Sequence, residues 1–406
     1  MAKTYDTYKD SGIAWIGEIP GEWEVCRLKA IYEVSDGTHD TPNYVDKSDN
    51  TFPLITSRCI EDGKINYLLA NHISKEDYEE IAKRSYVSKY DIIMPMIGTV
   101  GNPAVVMTDD KIAIKNVALF RCNGDYYKAK YLFFYLNSPL TLNQFAMNNK
   151  GGVQNFVSQD TIKRLLFIYS KDIHHIVSFL DTKCGEIDSL ISIQEEMISE
   201  LLAYKQSVIT EAVTKGLDKK AKMKNSGVEW IGDIPEEWEV CKVKNIAMIT
   251  NGSDPKTEGD IPVYGSGDGS FKTCGEYKEG PVVLLGRKGT VNIPHYIEGK
   301  YWNVDTAFDV KMKGNNSLKY FFYNAKCFDC KSYISATTLP SMTQTNYNNM
   351  KIPLPPLPVQ QAIATYLDEK TSQIDSLIAL KQSKIESLKE YKKSIIYEYV
   401  TGKKRV

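Results

Sequence analysis

SGIAWIGEIPGEWEVC, residues 11–26, returns at residues 226–241 as SGVEWIGDIPEEWEVC. Twelve of the sixteen positions are identical, a likeness that chance does not produce. Four of the five tryptophans lie in these two copies, and each copy leads into a short basic stretch that resembles a strand, Arg27-Leu28-Lys29 or Lys242-Val243-Lys244. A repeat of this length indicates a duplicated architecture. Each copy is therefore predicted to open a domain.

A second repeat predicts two long helices. The pentapeptide IDSLI occurs at residues 187–191 and again at residues 374–378. Around each copy, apolar residues recur in alternating steps of three and four, the pattern of a coiled-coil helix. The predicted helices cover residues 176–213 and 363–400, about 57 Å each at a rise of 1.5 Å per residue. Polar residues interrupt the two apolar stripes at matched places: Gln194 and Lys205, Lys381 and Lys392.

These helices and the chain end predict the architecture. Neither helix has an apolar stripe wide enough to be stable alone, so each is expected to pack against the other. The tail VTGKK, residues 400–404, resembles VTKGL, residues 213–217, which leads into the second half. We therefore predict an α+β fold, in which two globular mixed α/β domains are separated by two long helices packed as an antiparallel coiled coil, pseudo-twofold with a circular repeat. The expected segments are a first domain at 1–172, a first helix at 173–217, a second domain at 218–359 and a second helix at 360–406.

The two predicted domains share a frame but differ in length. A β-rich run that leads into a glycine turn, residues 90–100, corresponds to residues 281–291. Asn116-Val117-Ala118 echoes Asn303-Val304-Asp305, and the aromatic stretch at 131–134 echoes that at 320–323. The motif and the IDSLI repeat are 176 positions apart in the first half and 148 in the second. The first domain thus carries about 28 additional residues, which we expect mostly in loops.

Composition limits the classes of function. The chain has 50 Lys and Arg against 51 Asp and Glu, whereas a protein that holds DNA alone is usually distinctly basic. DNA binding stays compatible with this balance if basic side chains cluster on one face, or if partner subunits neutralise phosphates. No apolar run approaches the ~18 residues of a membrane span, and eight cysteines without a secretory signal indicate reduced thiols. We expect a cytoplasmic protein with no membrane partner.

Four features together point to one family. They are the motif SGxxWIGxIPxxW, the Gly-Thr-Val turn, the proline-rich stretch at 352–358 and the helix start Gln360-Gln361-Ala362-Ile363. The chain resembles, over nearly its whole length, the specificity subunits of Type I restriction-modification systems. The first half departs from that pattern before its helix, where FIYS at 167–170 and the pair His174-His175 replace prolines and glutamines.

The resemblance implies a sequence-specific DNA-binding subunit without catalysis of its own. In that family two target-recognition domains each read one half of a bipartite site in double-stranded DNA, and the long helices form the spacer. Two methyltransferase (modification) subunits dock on this frame. Whether restriction (nuclease-translocase) subunits also join is left open by the resemblance.

The candidate DNA contacts are mostly polar or basic residues beside glycine or proline turns, where loops approach bases or phosphates. In the first domain they are Thr38, His39, Tyr44, Ser57, Arg58 and Lys115. In the second domain they are Ser253, Lys256, Tyr264, Ser266, Lys272, Arg287, Lys288 and Thr290. The main candidates are Arg287 and Lys288, because they lie between two glycines. Their counterpart in the first domain, residues 95–98, is uncharged, as different DNA targets would permit.

Other chemical signals are weak. Cys327-x-x-Cys330 has no second ligand pair, so no metal is expected. YGSGDG, residues 264–269, resembles a phosphate-binding loop but lacks the Lys-Ser/Thr that would follow, so a flexible turn is expected. We find neither a methyl-donor pocket nor the motif of a DNA methyltransferase, and no nuclease carboxylate cluster. No catalytic residue and no cofactor is expected. Two alternatives stay open: a non-catalytic protein–protein scaffold built from two repeats, which the neutral charge favours, and an enzyme that acts on DNA alone.

Overall fold

The structure is a computed structural model that describes residues 4–98, 100–148, 156–330, 333 and 340–406. It is a mixed α and β protein with two β-rich domains and two long helices, as the sequence predicted. The chain divides into two compact units, Met1–Ile193 with Lys384–Val406, and Gln194–Ser383. Each unit holds one β-rich domain, and each long helix contributes one segment to either unit. Among the described residues, no helix combines the length and apolar character needed to cross a membrane.

The elements of the first domain are β1 (Tyr8–Asp10), β2 (Glu18–Pro20), β3 (Glu24–Arg27), β4 (Val34–Asp36), β5 (Tyr44–Val45), β6 (Phe52–Ile55), β7 (Ile60–Glu61), β8 (Lys64–Ile65), β9 (Asn71–Ile73), α1 (Lys75–Ser85), β10 (Ile92–Pro95), β11 (Ala104–Val105), β12 (Ala113–Ile114), β13 (Val117–Phe120), α2 (Tyr126–Leu136), α3 (Pro139–Asn148), α4 (Gln159–Arg164) and β14 (Leu166–Tyr169). Short 3-10 turns occupy Leu28–Ala30, Ser57–Cys59 and Tyr67–Leu69. The first long helix, α5, follows at Ile173–Lys215.

The elements of the second domain are β15 (Met223–Asn225), β16 (Asp233–Pro235), β17 (Glu239–Lys242), α6 (Val243–Ile246), β18 (Ala247–Asn251), β19 (Ile261–Tyr264), β20 (Ser270–Cys274), β21 (Lys278–Glu279), β22 (Val282–Gly286), β23 (His295–Ile297), β24 (Lys300–Asn303), β25 (Ala307–Met312), α7 (Leu318–Ala325), α8 (Gln344–Asn349) and β26 (Lys351–Leu354). The second long helix, α9, occupies Leu357–Val400 and so begins three residues before the predicted boundary at 360. Pro358 is tolerated there because the first turn of a helix needs no backbone N–H donor at that place.

One antiparallel sheet is common to both domains. Its order is β11-β10-β13-β4 in the first domain and β23-β22-β25-β18 in the second. Ile92 lies opposite Phe120, as Val283 lies opposite Val310, which confirms the correspondence predicted between the two β-rich runs. The same registers place Val117 at the position of Ala307. The predicted match of Asn116-Val117-Ala118 with Asn303-Val304-Asp305 is therefore wrong, because Asn303 ends the preceding strand, β24.

A second sheet in each domain contains one parallel pair. The pair is β6 with β12 in the first domain and β19 with β24 in the second, and an antiparallel strand, β9 or β20, completes the shared part. Parallel strands need cover on both faces. Ile55 and Ile114 at the ends of the first pair are accordingly buried in a cluster with Ile93 and Leu119 from the other sheet.

The additional residues of the first domain are not mostly loop, contrary to the prediction. Between β9 and β10 the first domain has helix α1, eleven residues long, where the second domain passes directly from β20 to β21. Ser74 caps α1 by accepting a hydrogen bond from the backbone N–H of Asp77 at 3.1 Å. A further insertion forms the hairpin of β7 and β8. The additional residues of the first domain therefore include a helix and a hairpin that the sequence pattern did not predict.

The repeated motif closes each domain against the end of a long helix. Trp23 and Trp238 are buried, whereas Trp15 is 40% exposed. Gly402 follows α9 and lies against Trp23, and Gly216 follows α5 and lies against Trp238. Both glycines have left-handed backbone angles, φ 70° and 75°. A Cβ atom would collide with the ring of Pro20 at Gly402 and with the indole of Trp238 at Gly216.

The end of the chain meets its own beginning, as the circular repeat predicts. Lys403 Nζ donates to the carbonyl oxygens of Ile16 at 3.1 Å and Glu18 at 2.6 Å. Tyr8 donates from its hydroxyl to the carbonyl oxygen of Gly402 at 3.2 Å. The tail after α9 therefore packs against the opening motif of the first domain, as the segment after α5 packs against the opening motif of the second domain.

The two long helices pack side by side and antiparallel within each unit. In the first unit, the rings of Phe179 and Tyr399 are 4.4 Å apart and Lys392 Nζ lies 2.6 Å from Asp188, so residue numbers rise along α5 as they fall along α9. In the second unit, Lys205 Nζ lies 2.6 Å from Asp375 and Lys381 Nζ donates to Gln194 at 3.3 Å. All four polar interruptions of the apolar stripes thus have partners across the helix pair, which is how such residues specify register.

Candidate nucleic-acid interface

The parallel strand pair of the first domain gathers several candidate residues at one edge. Because β6 and β12 run in the same direction, the chain leaves both at the same end. The loop after β4 arrives there too, since the N–H of Thr38 donates to the carbonyl oxygen of Ile114 at 3.0 Å. Gly37 permits this approach, because a Cβ atom would collide with that carbonyl group. We call residues 37–41, 56–58 and 115–116 the first loop edge.

The first loop edge contains five of the six candidates of this domain: Thr38, His39, Ser57, Arg58 and Lys115. Arg58 donates to Asn71 Oδ1 at 2.7 Å, and Lys115 Nζ donates to Thr41 Oγ1. These contacts hold the two cations in place while leaving donor capacity for a ligand. The sixth candidate, Tyr44, is exposed on β5 opposite Ile73, two strands away from β6, and does not join this edge.

His39 is the best-connected member of the first loop edge. Its Nε2 lies 3.0 Å from Asp36 Oδ2 and its Nδ1 lies 2.9 Å from Asn116 Oδ1. The hydrogen bond with Asn116, followed by that with Asp36, raises the pKa of His39 above its ordinary value, since both stabilise the protonated ring. His39 therefore supplies positive charge to this edge at pH values where a free histidine has begun to lose it.

The second domain builds the same edge from different residues. The N–H of Ser253 donates to the carbonyl oxygen of Asn303 at 3.0 Å, the counterpart of the Thr38 contact, and Gly252 is again required by a close carbonyl group. Tyr264 ends β19, and Ser266 stands at the position of Ser57, two residues after the strand. We call residues 252–253, 264–266 and 303–306, with the turn at 287–290, the second loop edge.

The turn after β22 joins the second loop edge through two contacts. Ser266 Oγ donates to the carbonyl oxygen of Lys288, and Arg287 Nη1 donates to the carbonyl oxygen of Asp305 at 3.2 Å. The carboxylate of Asp305 lies 3.5 Å from the same guanidinium. Gly289 has a left-handed backbone, which explains why glycine ends this turn. Arg287, Lys288 and Thr290 are thus brought together with Ser253, Tyr264 and Ser266.

Two candidates of the second domain do not join this group. Lys272 lies on β20 opposite Val263, where its Nζ is 5.5 Å from the centre of the exposed ring of Phe271. Lys256 lies in the loop before β19, and its backbone N–H donates to the carboxylate of Glu276 at 2.7 Å. Both side chains are exposed, and these contacts lie outside the second loop edge. They stay predictions from sequence alone.

The first domain has an apolar turn where the second has its basic turn. Ile97 forms a bridge with Phe156, as Lys288 does with Ser341, so the two turns are equivalent. Ile97 is 39% exposed and Phe156 is 52% exposed. Thr99, the threonine of the predicted Gly-Thr-Val turn, lies outside the described residues. The two domains therefore present opposite chemistry at one shared position of the frame.

Sequence reasoning missed Arg84 and Asn116. Arg84 comes from the last turn of α1, and its Nη2 lies 3.4 Å from Asp36 Oδ1. Asn116 has a left-handed backbone, φ 56°, between β12 and β13, and its amide reaches His39. The signal for Asn116 was an asparagine between two apolar runs, which is typical of a tight turn. Nothing in the sequence places Arg84 beside β4, because that contact spans 48 residues.

The cysteines and carboxylates offer no metal site among the described residues. No three His, Cys, Asp or Glu side chains there lie close enough together to hold an ion. Cys327 contacts Thr210 Oγ1 at 3.5 Å, whereas Cys330 donates to the carbonyl oxygen of Val291 at 3.7 Å, so the two thiols of the CxxC pair have separate partners. Burial raises the pKa of Cys330 to about 11 and disfavours the thiolate that a metal or a disulfide exchange needs.

The sequence is similar to specificity subunits of type I restriction enzymes. The family described as "Type I restriction modification DNA specificity domain" matches residues 235–390. The chain is 28% identical to the "Putative type I restriction enzyme MjaX specificity subunit" of Methanocaldococcus jannaschii, over 96% of this chain and 96% of that protein. It is 24% identical to the type I restriction enzyme MjaVIII specificity subunit of the same organism, over 96% of this chain and 94% of that protein.

Solved structures share the fold. A chain of a type I R-M system, solved to explain complex assembly and conformational transition, has a TM-score of 0.72 at 17% identity, over 94% of this chain and 98% of that one. The HsdS subunit from Thermoanaerobacter tengcongensis has a TM-score of 0.50 at 18% identity, over 95% of this chain and 98% of that one. Two β-rich domains and a pair of long helices are therefore an architecture that other proteins also adopt.

Proposed function

Since the chain belongs to the specificity subunits of type I restriction-modification systems, which recognise the DNA target within the complex and are not themselves catalytic, we propose that its two domains each read one half of a bipartite site. The substrate of this recognition is double-stranded DNA. The two loop edges are the surfaces that approach the base edges, where hydrogen-bond donors and acceptors distinguish the four base pairs.

The observation that carries this proposal is one frame with two different sets of side chains. Thr38 and Ser253 make the same backbone contact, and Ser57 and Ser266 follow equivalent strands. The variable positions differ in kind: Ile97 stands where Lys288 stands, and Lys115 stands where Val304 stands. Equal frames with unequal surfaces suit two reading heads for two unequal half-sites, since the base contacts and not the frame determine specificity.

The long helices support a fixed spacing between the half-sites. Helices α5 and α9 have 43 and 44 residues and run without interruption. At 1.5 Å per residue each is about 65 Å long. DNA repeats every ~34 to 36 Å, so helices of this length suit half-sites that are one turn or more apart on one face of the duplex. We infer that the helices act as the spacer, and that the paired polar residues of their seam keep its length constant.

A twice-repeated apolar surface supports the docking of two methyltransferase subunits. In the first unit, Leu190, Ile193 and Tyr391 are exposed beside the ion pair of Asp188 and Lys392. In the second unit, Leu377, Leu380 and Tyr204 are exposed beside the equivalent ion pair of Asp375 and Lys205. Exposed apolar side chains clustered on helices are typical of protein interfaces. Two copies of one surface would bind two copies of one partner.

The charge balance fits a subunit that works inside a complex. A net charge of −1 leaves little general attraction for DNA, and several cations of the loop edges already have protein partners. Phosphate neutralisation supplies much of the affinity of any DNA-binding protein, so partner subunits would have to supply part of it. All eight cysteines are free in the described chain, which is compatible with work in the reducing cytoplasm.

The test is methylation-sensitive sequencing of the genome of a host that carries this chain with the methyltransferase subunits of its system. The expected result is one methylated motif with two short specified half-sites and unspecified bases between them. A mobility-shift assay with the purified complex should then show that both half-sites are needed. A continuous motif would contradict two separate reading heads, and a complex that binds no DNA selectively would favour a protein–protein scaffold.

A further inference from the structure

Helix α1 carries a basic residue to the first loop edge from outside the shared frame. The second domain has no helix at this place, since β20 and β21 are joined by three residues. Arg84 lies in the last turn of α1, with a side chain that is 72% exposed and a guanidinium 3.4 Å from Asp36. An insertion that ends beside a binding surface adds a contact that the other domain cannot make.

Asp36 holds two cationic side chains at once. Its side chain is only 14% exposed, with Arg84 at Oδ1 and the Nε2 of His39 at Oδ2. The Nδ1 of His39 faces Asn116 Oδ1, so both ring nitrogens face oxygen acceptors and both donate in the imidazolium form. When His39 is protonated, the single negative charge of Asp36 faces two cations, Arg84 and His39. The three side chains together therefore carry a net positive charge near the surface.

The surrounding charges do not cancel this excess. Lys115, on the turn after β12, donates to Thr41 and adds a further cation to the same edge. Asp40, on the loop of His39 itself, is exposed. The equivalent positions of the second domain, by the register of β4 and β18, are Asn251 for Asp36 and Asp254 for His39. An aspartate thus stands in place of the histidine, so the charge is opposite at this one position of the second domain.

We propose that the guanidinium of Arg84, with the positive charge of protonated His39 held beside it by Asp36, binds one backbone phosphate beside the first half-site. The inference rests on the proposed function and makes it specific: the first domain has a phosphate clamp that the second lacks. A phosphate is favoured over a base because Arg84 comes from a flanking helix, and because His39 adds positive charge but no free N–H donor for a base edge. Such a clamp anchors the domain without reading sequence.

The first arm of the test measures salt dependence. The complex of the full chain with its methyltransferase subunits is titrated into a fluorescent duplex that carries the methylated motif, at several KCl concentrations. Log affinity falls as log salt rises, and removing one phosphate contact makes this negative slope shallower by about 0.9. Arg84→Ala should show this loss. Lys83→Ala is the matched control, because Lys83 is the preceding residue of α1, is equally exposed and pairs with Glu80 instead.

The second arm measures pH dependence. Binding by the wild-type complex should weaken as pH rises through the pKa of His39, since the imidazolium is lost, and His39→Gln should remove that component. An unchanged salt slope in Arg84→Ala, a relaxed base preference at the first half-site without a slope change, or equal pH profiles for wild type and His39→Gln would each overturn the clamp. A wild-type complex that does not prefer the motif over a scrambled duplex would instead overturn the proposed function.

Discussion

At the scale of single residues, two buried tyrosines do the same work in the two units. The hydroxyl of Tyr131 lies 3.0 Å from the carbonyl oxygen of Ile168 and 3.3 Å from that of Val400. The hydroxyl of Tyr320 lies 3.0 Å from the carbonyl oxygen of Pro353 and 3.2 Å from that of Val213. Burial raises the pKa of both hydroxyls, so each stays protonated and donates. Each tyrosine fixes a strand of its domain to the end of a long helix.

Tyr131→Phe and Tyr320→Phe should each lower the free energy of unfolding by about 1 to 3 kcal/mol, because a buried carbonyl group loses its donor while the ring still fits. Chemical denaturation followed by circular dichroism measures this effect. Tyr44→Phe is the control, since that hydroxyl is exposed and has no such partner. If the two buried variants unfold like the control, the tyrosines do not fasten the helix ends.

A second residue-scale prediction concerns specificity. Arg287→Ala should relax the base preference of the second half-site by about 1 to 3 kcal/mol at one position and leave the first half-site unchanged. Sequencing of the methylated motif reads both half-sites at once. Lys244→Ala is a suitable control, because Lys244 is exposed in the same domain on α6, away from the turn at 287–290. A change at the first half-site would contradict the assignment of this arginine to the second reading head.

The candidate site was predictable where local sequence determines it. Arg287 and Lys288 lie between two glycines, and the second of these, Gly289, does have the left-handed backbone that such a turn requires. Arg84 was not predictable, because its place depends on helix α1 folding back to β4, a contact between residues far apart in the chain. Tyr44 was predicted to contact DNA because it is a polar aromatic residue beside a turn. Its strand, however, lies at the far side of the sheet from the first loop edge.

At the scale of elements, the long helices were predictable and the short strands were not. A repeat of apolar residues over forty positions is a strong helical signal. Strands such as β12 and β24 have two to four residues, and their pairing with β6 and β19 depends on contacts that no local pattern contains. Leu190 and Leu377 are exposed on the long helices, but the sequence alone did not distinguish them from the buried apolar residues of the same helices.

The paired docking surfaces predict a stoichiometry. Leu190→Glu should abolish binding of one methyltransferase subunit and leave a complex with one copy, and Leu190→Glu combined with Leu377→Glu should bind none. The reason is that each leucine lies in one copy of a repeated surface, where a buried charge is unfavourable. Native mass spectrometry of the assembled complex counts the copies.

The control for this experiment is Leu68→Glu, an exposed leucine in the first domain outside both long helices. Thermal melts of the free chain should show that all three variants remain folded. Two bound methyltransferase subunits in the double variant would contradict the docking surfaces proposed for α5 and α9.

At the scale of the whole molecule, the circular repeat connects sequence, fold and function. The tail after α9 returns to the opening motif through Lys403 and Tyr8, so the first unit is completed by the last residues of the chain. The sequence predicted this from the likeness of residues 400–404 to residues 213–217. What it could not supply was the content of the two loop edges, because a common frame leaves their side chains free to differ.

The most direct test of the central claim shortens both helices equally. Deleting residues 195–201 from α5 and 382–388 from α9 removes equivalent segments and retains the ion pairs at Asp188 and Asp375. Each helix loses about 10 Å at 1.5 Å per residue, which corresponds to about three base pairs. The methylated motif of a host carrying this variant should keep both half-sites and contain about three fewer bases between them. An unchanged spacing, or a changed half-site, would contradict a molecule that reads two sites at a distance set by its helices.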